Sequence, residues 1–401
     1  MNTSHRSRGF TLAELLVGLV VTSIVMTAVV AIFIGVQRSY QAETEVKIIT
    51  ENGRGTMLFL ERVLPLAGYG LDPRVAFDVA GTQSRDNQDV QAVSFTTTFT
   101  QKPLPGPAAR TLSDDLAFRF RDPAFLRAGR LNSGNTQVTL DAALGMQLPT
   151  GKLLMVGCRG GADYTMVRVV GTPGPTATTI TVTNAAGPFI TSSAPCLTQT
   201  GASSPWVFLI QEHRLRVVNL AGRPWLVSFR NLEASVTDLT LDNFDPIAPD
   251  VENFQVAFGM NRARPGLTCC QAAPDAAGNS NFIVGDVPGE SFFAQPTGVL
   301  GTRPDYRTGY EQLPRFTAHP ANIRSVHVAV VLRSTRNLPN GRTEFQTGSL
   351  FNSPVYTPGS DGFKRSLFHT TINTPNLLSR SNFMPSLRAT GVVNDMNSWG
   401  G

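Results

Sequence analysis

The feature that most constrains this chain is an uncharged apolar run of 23 residues near its start, from Leu15 to Gln37. At a rise of about 1.5 Å per residue, a helix of this length spans roughly 34 Å, enough to cross a bilayer core of about 30 Å. Arg6 and Arg8 precede the run, and this basic flank orients the N-terminus toward the cytoplasm. The run therefore predicts one membrane-spanning helix, with the rest of the chain on the other side.

A cleaved secretory signal does not explain this start. Such a signal has a short apolar region followed by a small-residue cleavage site. Here the apolar run is longer, lacks an Ala-x-Ala ending and continues into more helix-forming sequence. A permanent signal anchor fits the length but leaves Glu14 unexplained, because an acid at mid-bilayer costs about 2.5–3.5 kcal/mol unless it finds a partner.

A basic leader, a Gly-Phe pair, an acid and an apolar run follow in order in Arg8-Gly9-Phe10-Thr11-Leu12-Ala13-Glu14-Leu15-Leu16. This order resembles the class III signal of type IV prepilins and type II secretion pseudopilins. The resemblance implies cleavage by a membrane peptidase after Gly9, N-methylation of Phe10 and an assembly role for Glu14. In a fibre, we expect the Glu14 carboxylate to pair with the N-terminal amine of a neighbouring subunit, which selects register more than it adds stability.

The helical pattern continues beyond the apolar run. Over residues 38–64, apolar or small residues recur at three- and four-residue steps with charged residues mostly between them. This pattern predicts an amphipathic helix that lays one face on a folded domain. Gly53 and Gly55 each weaken such a helix by about 1 kcal/mol relative to alanine. Pro65 then ends it.

The chain after about residue 75 favours β-structure. It contains many short alternating or β-branched runs, and the sequence has 36 Gly and 27 Pro, which favour turns over a helical bundle. The predicted strands are Val93–Thr98, Leu116–Phe120, Gln137–Leu140, Leu153–Val156, Met166–Val170, Thr179–Thr183, Trp206–Ile210, Arg214–Val218, Trp225–Phe229, Val251–Phe258, Arg324–Leu332 and Leu367–Thr371.

We therefore predict an α+β fold in which a long N-terminal helix packs on an antiparallel β-rich globular head. The second half of that helix supplies the packed face, while the first half supplies the membrane segment. The predicted divisions are a leader peptide at 1–9, a transmembrane and assembly helix at 10–37, an amphipathic helix at 38–64, a head at 65–401 and a loop-rich insertion near 265–314.

Four later segments extend the resemblance to the PilW branch of minor pilins. Phe59–Gly70 contains the pattern LxxAGYG, Val251–Gly259 is similar to VxxxQVxYG, and Ile323–Ser334 is similar to VxxVRVxLLxRS. Phe363–Asn373 is similar to RRxxxTTVxLRN, although Asn373-Thr374-Pro375-Asn376 replaces its Leu-Arg-Asn ending. Between about residues 75 and 250 there is no resemblance, so partner or surface specificity is expected to lie there.

The resemblance implies a structural function, that of a minor pilin that helps initiate a type IV pilus or cap its tip. Its implied partners are other minor pilins, the major pilin, the prepilin peptidase, the inner-membrane assembly platform and a tip adhesin. The precursor is expected to be a single-pass inner-membrane protein with a periplasmic head, and the mature protein to lie in the surface fibre. The alternatives are a type II secretion pseudopilin and, from another class, a membrane-anchored periplasmic binding or adhesive module.

Four cysteines occur, namely Cys158, Cys196, Cys269 and Cys270. None forms a C-x-x-C pair and no histidine lies at zinc-ligand spacing, so disulfides are expected in an exported chain. Three pairings are open. Cys158 with Cys196 would close a loop between neighbouring strands and leave the adjacent pair to bond each other, to bond another chain or to stay reduced.

Catalysis and nucleic-acid binding are not predicted. The sequence has no G-x-S-x-G or H-E-x-x-H motif and its histidines are dispersed, so no enzyme activity is expected. The net charge of +5 comes mainly from arginines scattered singly along the chain. Nucleic-acid binding usually needs a basic cluster that neutralises adjacent phosphates.

An acidic cluster before the 251 strand is the one candidate for a cofactor. Asp242, Asp245 and Asp250 supply oxygen donors of the kind that Ca²⁺ prefers. The cluster lacks the spacing and glycine of an EF-hand loop, so a solvated turn is favoured and no cofactor is predicted.

Overall fold

The computed structural model describes residues 11–77, 113–114, 116–159, 163–185, 194–220, 223–229, 244–260, 283–285, 322–337, 351, 362–378, 386–388 and 391–393. Two α-helices lie in this part of the chain, α1 (Leu12–Val63) and α2 (Pro375–Leu378). The strands are β1 (Leu116–Leu131), β2 (Gln137–Leu140), β3 (Leu153–Gly157), β4 (Tyr164–Val169), β5 (Thr179–Asn184), β6 (Trp206–Leu220), β7 (Arg223–Phe229), β8 (Phe244–Pro249), β9 (Val251–Met260), β10 (Ile283–Val284), β11 (Ile323–Arg333), β12 (Arg365–Asn373), β13 (Ser386–Arg388) and β14 (Gly391–Val393).

The helix α1 is continuous over 52 residues but has two different environments. Residues 11–41 are exposed along the whole length of the apolar half. Within the described part of the chain, α1 is the helix that is long and apolar enough to cross a membrane. From Glu45 onward one face is buried against the head, so the docked half begins where the apolar run has ended.

The first part of the head, which we call the body, is built around a four-stranded antiparallel sheet of order β10-β9-β11-β12. The docked half of α1 lies against β8, β11 and β12. The body core joins Ile49, Leu60 and Leu64 of the helix region to side chains from β9 and β11 such as Phe254 and Val328. Burial of these apolar side chains, at about 25 cal/mol per Å², fixes the helix on the sheet.

The second part of the head is a small barrel. The strand order β1-β2-β5-β4-β3-β6 is closed by a further pairing between β1 and β6, so the six strands form a ring. A separate apolar core fills this ring, with Val138, Leu154, Val167 and Leu209 among its buried members. The barrel therefore has its own interior, distinct from the core beneath α1.

The long strands β1 and β6 join the body to the barrel. Residues Leu116 to Arg121 of β1 pair with β6, the register then shifts between Arg121 and Leu126, and Gly129 to Leu131 turn to pair with β2. Such a bulge bends a strand and increases its twist. One strand thereby serves both units, and β6 continues from the barrel into its pairing with β7.

The predicted α+β fold is confirmed, and most predicted strands coincide with observed ones. The runs Trp206–Ile210 and Arg214–Val218 form the single strand β6. The strands β8, β10, β13 and β14 were not predicted. Pro246 and Pro249 interrupt the pattern of β8, and the other three strands have only two or three residues each. Val93–Thr98 lies outside the described residues, as does the predicted insertion apart from residues 283–285.

The two glycines of the docked half give the first testable prediction. Gly53 is buried and a Cβ there would overlap the ring of Phe368, whereas a Cβ at Gly55 would meet no atom within 4 Å. Gly53→Ala should lower the free energy of unfolding by about 1–3 kcal/mol through overpacking. Gly55→Ala should raise it by up to about 1 kcal/mol through helix propensity.

Denaturant unfolding of the detergent-solubilised chain compares these two variants directly. Because both replace a glycine in the same helix, the difference between them isolates the contact with Phe368. Equal effects of the two substitutions would show that α1 does not approach β12 as closely as described.

Candidate functional site: the assembly helix and its contacts with the head

The N-terminal end of α1 is capped by its own acid. The backbone N–H of Thr11 donates to Glu14 Oε2 at 2.9 Å, and the Glu14 N–H donates to Thr11 Oγ1 at 3.3 Å, which is a reciprocal capping box. Thr11 Oγ1 also donates to Oε2 at 3.0 Å. Among the described residues none donates to Oε1, so Glu14 can cap its helix and still accept a bond from another subunit. Gly9 and Phe10 lie outside the described residues.

Glu45 marks the start of the docked half and is buried, although it is charged. Its Oε2 accepts a hydrogen bond of 2.9 Å from the backbone N–H of Thr335. Thr335 Oγ1 in turn donates to Asp250 Oδ2 at 2.9 Å. The periodic pattern over residues 38–64 places charged residues mostly between the buried positions, yet Glu45 is buried and the apolar Val46 beside it is half-buried.

Asp250 is held from its other side by Arg223, with Nε 2.8 Å from Oδ1 and Nη2 2.5 Å from Oδ2. The hydrogen bonds that Arg223 donates to Asp250 raise the pKa of Arg223, against the opposing effect of partial burial, so the guanidinium stays charged. We call the set Glu45, Thr335, Asp250 and Arg223 the lower latch. It links α1 to the ends of β11 and β7 at the side nearest the apolar half.

The described acidic residues of the cluster before β9, and Glu252 next to it, have protein partners. Both carboxylate oxygens of Asp250 accept bonds from Arg223, and those of Glu252 accept bonds from buried Arg365. Asp245 lies on β8, and Asp242 is outside the described residues. No group of three or more His, Cys, Asp or Glu residues that could hold a metal ion occurs in the described part.

At its other end, α1 passes into a tight turn that contacts both units of the head. Gly68 and Gly70 adopt φ values of 77° and 64°, which glycine adopts without strain. The Gly68 N–H donates to Arg119 O, and the Arg121 N–H donates to Tyr69 O, each at 2.9 Å. This turn is the Ala-Gly-Tyr-Gly element of the sequence, and its backbone is bonded to β1.

The guanidinium of Arg121 extends this contact toward the barrel. It lies 5.4 Å from the ring centre of Tyr69 and 4.9 Å from that of Phe208 on β6. Tyr164 of β4 also donates a hydrogen bond of 3.1 Å to Asp72 of the turn. Cation–π contacts of this kind contribute about 0.5–2 kcal/mol, so the turn after α1 fixes the position of the barrel as well as that of the body.

A buried charged triad lies beneath the same junction. Glu212 of β6 accepts bonds from Arg119 of β1 at 3.0 Å and from Arg168 of β4 at 2.7 and 3.1 Å. Burial alone would raise the pKa of Glu212, but the two arginine charges and their hydrogen bonds outweigh burial and lower it. Arg119 also donates to Val75 O at 3.3 Å, which connects the triad to the turn.

A disulfide joins Cys158, after β3, to Cys196, before β6. This is one of the pairings that the sequence left open, and it closes a loop at one end of the barrel beside the barrel core. Next to it, the Arg159 guanidinium lies 3.8 Å from the ring centre of Trp206. Cys269 and Cys270 are outside the described residues.

Two regions of the chain match known families. Residues 4–30 match the prokaryotic N-terminal methylation motif, and residues 218–376 match the Type IV Pilus-assembly protein W. No curated protein and no solved structure matches the chain. The second match covers the body from the end of β6 to α2, whereas residues 122–210 of the barrel lie outside both matches.

The lower latch yields a prediction about local stability. Glu45→Ala leaves the Thr335 N–H without its acceptor, so the docked half should be destabilised by about 1–3 kcal/mol. Backbone amides around residue 45 should then exchange with deuterium faster than in the unmodified chain. Exposed Glu43→Ala is the matched control and should change stability by less than about 0.5 kcal/mol. Unchanged exchange in Glu45→Ala would contradict the role given to the latch.

The triad predicts a pH dependence with a definite sign. Folding lowers the pKa of Glu212. Its contribution to the free energy of unfolding is therefore complete above the ordinary glutamate pKa and is lost as pH falls through the lower folded pKa. Glu212→Gln leaves two buried guanidinium groups uncompensated and should cost about 3–5 kcal/mol at neutral pH. In urea unfolding, the free energy of unfolding of this variant should fall less between pH 7 and pH 3 than that of the unmodified chain. An equal fall in both would contradict the role given to Glu212.

Proposed function

Because the chain is a PilW-type, prepilin-like protein of the type IV pilus minor pilin family, we propose that it helps initiate pilus assembly or caps the fibre tip. In this proposal the prepilin peptidase cleaves after Gly9 and the new terminus at Phe10 is methylated. The mature chain then leaves the membrane and joins the fibre. The role is structural and needs neither a catalytic group nor a cofactor.

The division of α1 into two halves is the observation that carries the proposal. Its apolar half has no partner within the described chain, whereas its docked half is fixed to the head by apolar burial and by the lower latch. An exposed apolar helix must be covered by lipid or by other apolar helices. Since both surroundings are apolar, the same helix suits a membrane-stored precursor and a fibre built from parallel helices.

The size and shape of the head support a place at an end of the fibre. The described part of the head consists of the body and a separate barrel. In a helical lattice each subunit is surrounded by others, so an extra unit at every position would crowd them. A tip subunit has one open side, which leaves room for the barrel.

The prepilin motif and the apolar helix indicate a membrane-anchored protein, and membership of the family implies contact with other pilus components. We propose that the head is periplasmic in the precursor and is displayed on the pilus after assembly. The proposed partners are the other minor pilins, the major pilin, the prepilin peptidase, the inner-membrane platform and a tip adhesin. The barrel, which lies outside the matched regions, is the part that we expect to differ between systems.

Substitution of Glu14 tests the assembly role. Glu14→Ala should leave membrane insertion and cleavage intact but lower incorporation into sheared pili by about tenfold, as expected when a desolvated amine loses its carboxylate partner. Glu14→Gln retains an acceptor for Thr11 while removing the charge, and should fail to the same extent. Incorporation of the Gln variant at the native level would show that helix capping, and not pairing with an amine, is what Glu14 supplies.

Deletion of the gene separates the proposal from its alternatives. Loss of surface pili with normal protein secretion supports the minor pilin. Loss of exoprotein export with normal pili identifies a type II secretion pseudopilin instead. If both processes remain intact, the chain is a membrane-anchored periplasmic binding or adhesive module, and the assembly role is wrong.

A further inference from the structure

The described sheets differ in how their edge strands are protected. The barrel has no edge, because β1 and β6 close it. At the edge strand β8, Pro246 and Pro249 remove backbone donors, and the pairing with β7 also shifts register. The edge strand β10 has two residues, and the hairpin of β13 and β14 has three residues in each strand. Prolines, register shifts and short length are the usual means of preventing unwanted strand pairing.

The edge strand β12 has none of these protections. It pairs with β11 over nine consecutive residues without a register shift, and it contains no proline. Its one charged side chain other than histidine, Arg365, is buried and bonded to Glu252 at 2.5 and 2.9 Å. On its other side β12 pairs with no strand among the described residues.

The register shows which backbone groups face the open side. Ser334 N–H donates to Lys364 O, and Thr374 N–H donates to Arg324 O, so these two pairs are hydrogen-bonded pairs of the antiparallel ladder. Hydrogen-bonded and non-hydrogen-bonded pairs alternate along such a ladder. The even-numbered residues of β12 therefore bond β11, and the odd-numbered residues point their N–H and C=O groups away from it. These outward residues include Leu367, His369 and Thr371, whose side chains are also exposed.

We propose that this outer edge of β12 binds an extended segment of a different polypeptide, which adds to the sheet as a further strand. A row of alternating N–H and C=O groups at strand spacing is satisfied in full by another extended backbone. The inference concerns the folded head and goes beyond the role proposed for the chain in the fibre. It would hold for any partner presented to the head after export.

The direction of α1 argues against antiparallel pairing with a second copy of this chain. Glu45 contacts Thr335 near the start of β12, Glu61 contacts Thr370 within it, and Pro65 contacts Asn376 beyond its end. The helix α1 and strand β12 thus run in the same direction. Antiparallel pairing of two β12 strands would reverse one helix relative to the other. Their apolar halves would then point to opposite ends and could not share one membrane.

The side chains beside the edge define the occupant further. Leu367 is 43% exposed, and with His369 and Thr371 it lines the face opposite α1. These side chains carry no fixed charge, so a strand with β-branched or apolar residues at alternate positions fits beside them. The partner would be bound mainly through backbone hydrogen bonds. Its affinity should vary little with salt concentration, because no ion pair is involved.

Photo-crosslinking in the producing cells tests the proposal on the full-length chain. The probe is p-benzoylphenylalanine in place of Leu367, and the readout is the mass and identity of the adduct. We expect a single adduct with a different polypeptide. His369→Pro removes one outward N–H without removing a bond to β11, and should reduce the yield by about tenfold, the effect of losing roughly 1.4 kcal/mol. His369→Ala keeps the N–H and should leave the yield unchanged.

The thermal midpoint of each variant shows whether the head remains folded. If His369→Pro lowers the midpoint, Thr371→Pro removes another outward N–H and replaces it in the comparison. The proposal is overturned if no adduct forms, if the adduct is a dimer of this chain, or if a folded proline variant crosslinks as well as the alanine variant. Pilus assembly is not part of the readout, so these outcomes do not depend on the minor pilin role.

Discussion

The docking of one half of α1 on the head is the contact on which the rest of the structure depends. Ile49, Leu60 and Leu64 enter the body core, Gly53 lets the helix approach the ring of Phe368, and the lower latch fixes the end nearest the apolar half. Because the helix is continuous, any force on its apolar half acts directly on this interface. A membrane helix attached through a loose linker would transmit no such force.

The body and the barrel meet at the end of α1 that is farthest from the apolar half. The Gly68–Gly70 turn bonds β1, Arg121 contacts aromatic rings on the turn and on β6, and the triad around Glu212 joins β1, β4 and β6. Buried charged groups contribute little net stability, but removal of one member is costly. The triad therefore connects β1, β4 and β6 to the turn after α1 through the bond from Arg119 to Val75 O. We expect this connection to hold the barrel in one orientation relative to α1.

The sequence predicted the helix, the β-rich head and most strands, because periodicity and turn residues are local signals. It did not predict contacts that depend on distant partners. Gly53 was interpreted as a weak point of the helix, yet it makes room for Phe368, which is remote in the chain. Glu45 is one of the charged residues that the pattern places between the buried positions, and nothing near it in the sequence shows that the Thr335 N–H meets its carboxylate. Closure of the barrel rests on the pairing of β1 with β6, two strands that are remote in the chain, and local patterns do not show which distant strands pair.

The central claim is that this chain enters a pilin-type assembly machine through its N-terminal helix. N-terminal peptide mass spectrometry on the protein from cells with and without the prepilin peptidase tests that claim most directly. We predict a terminus at N-methylated Phe10 when the peptidase is present and retention of residues 1–9 when it is absent. Retention of residues 1–9 in both strains would contradict it, and α1 would then be a permanent anchor for a periplasmic β-protein.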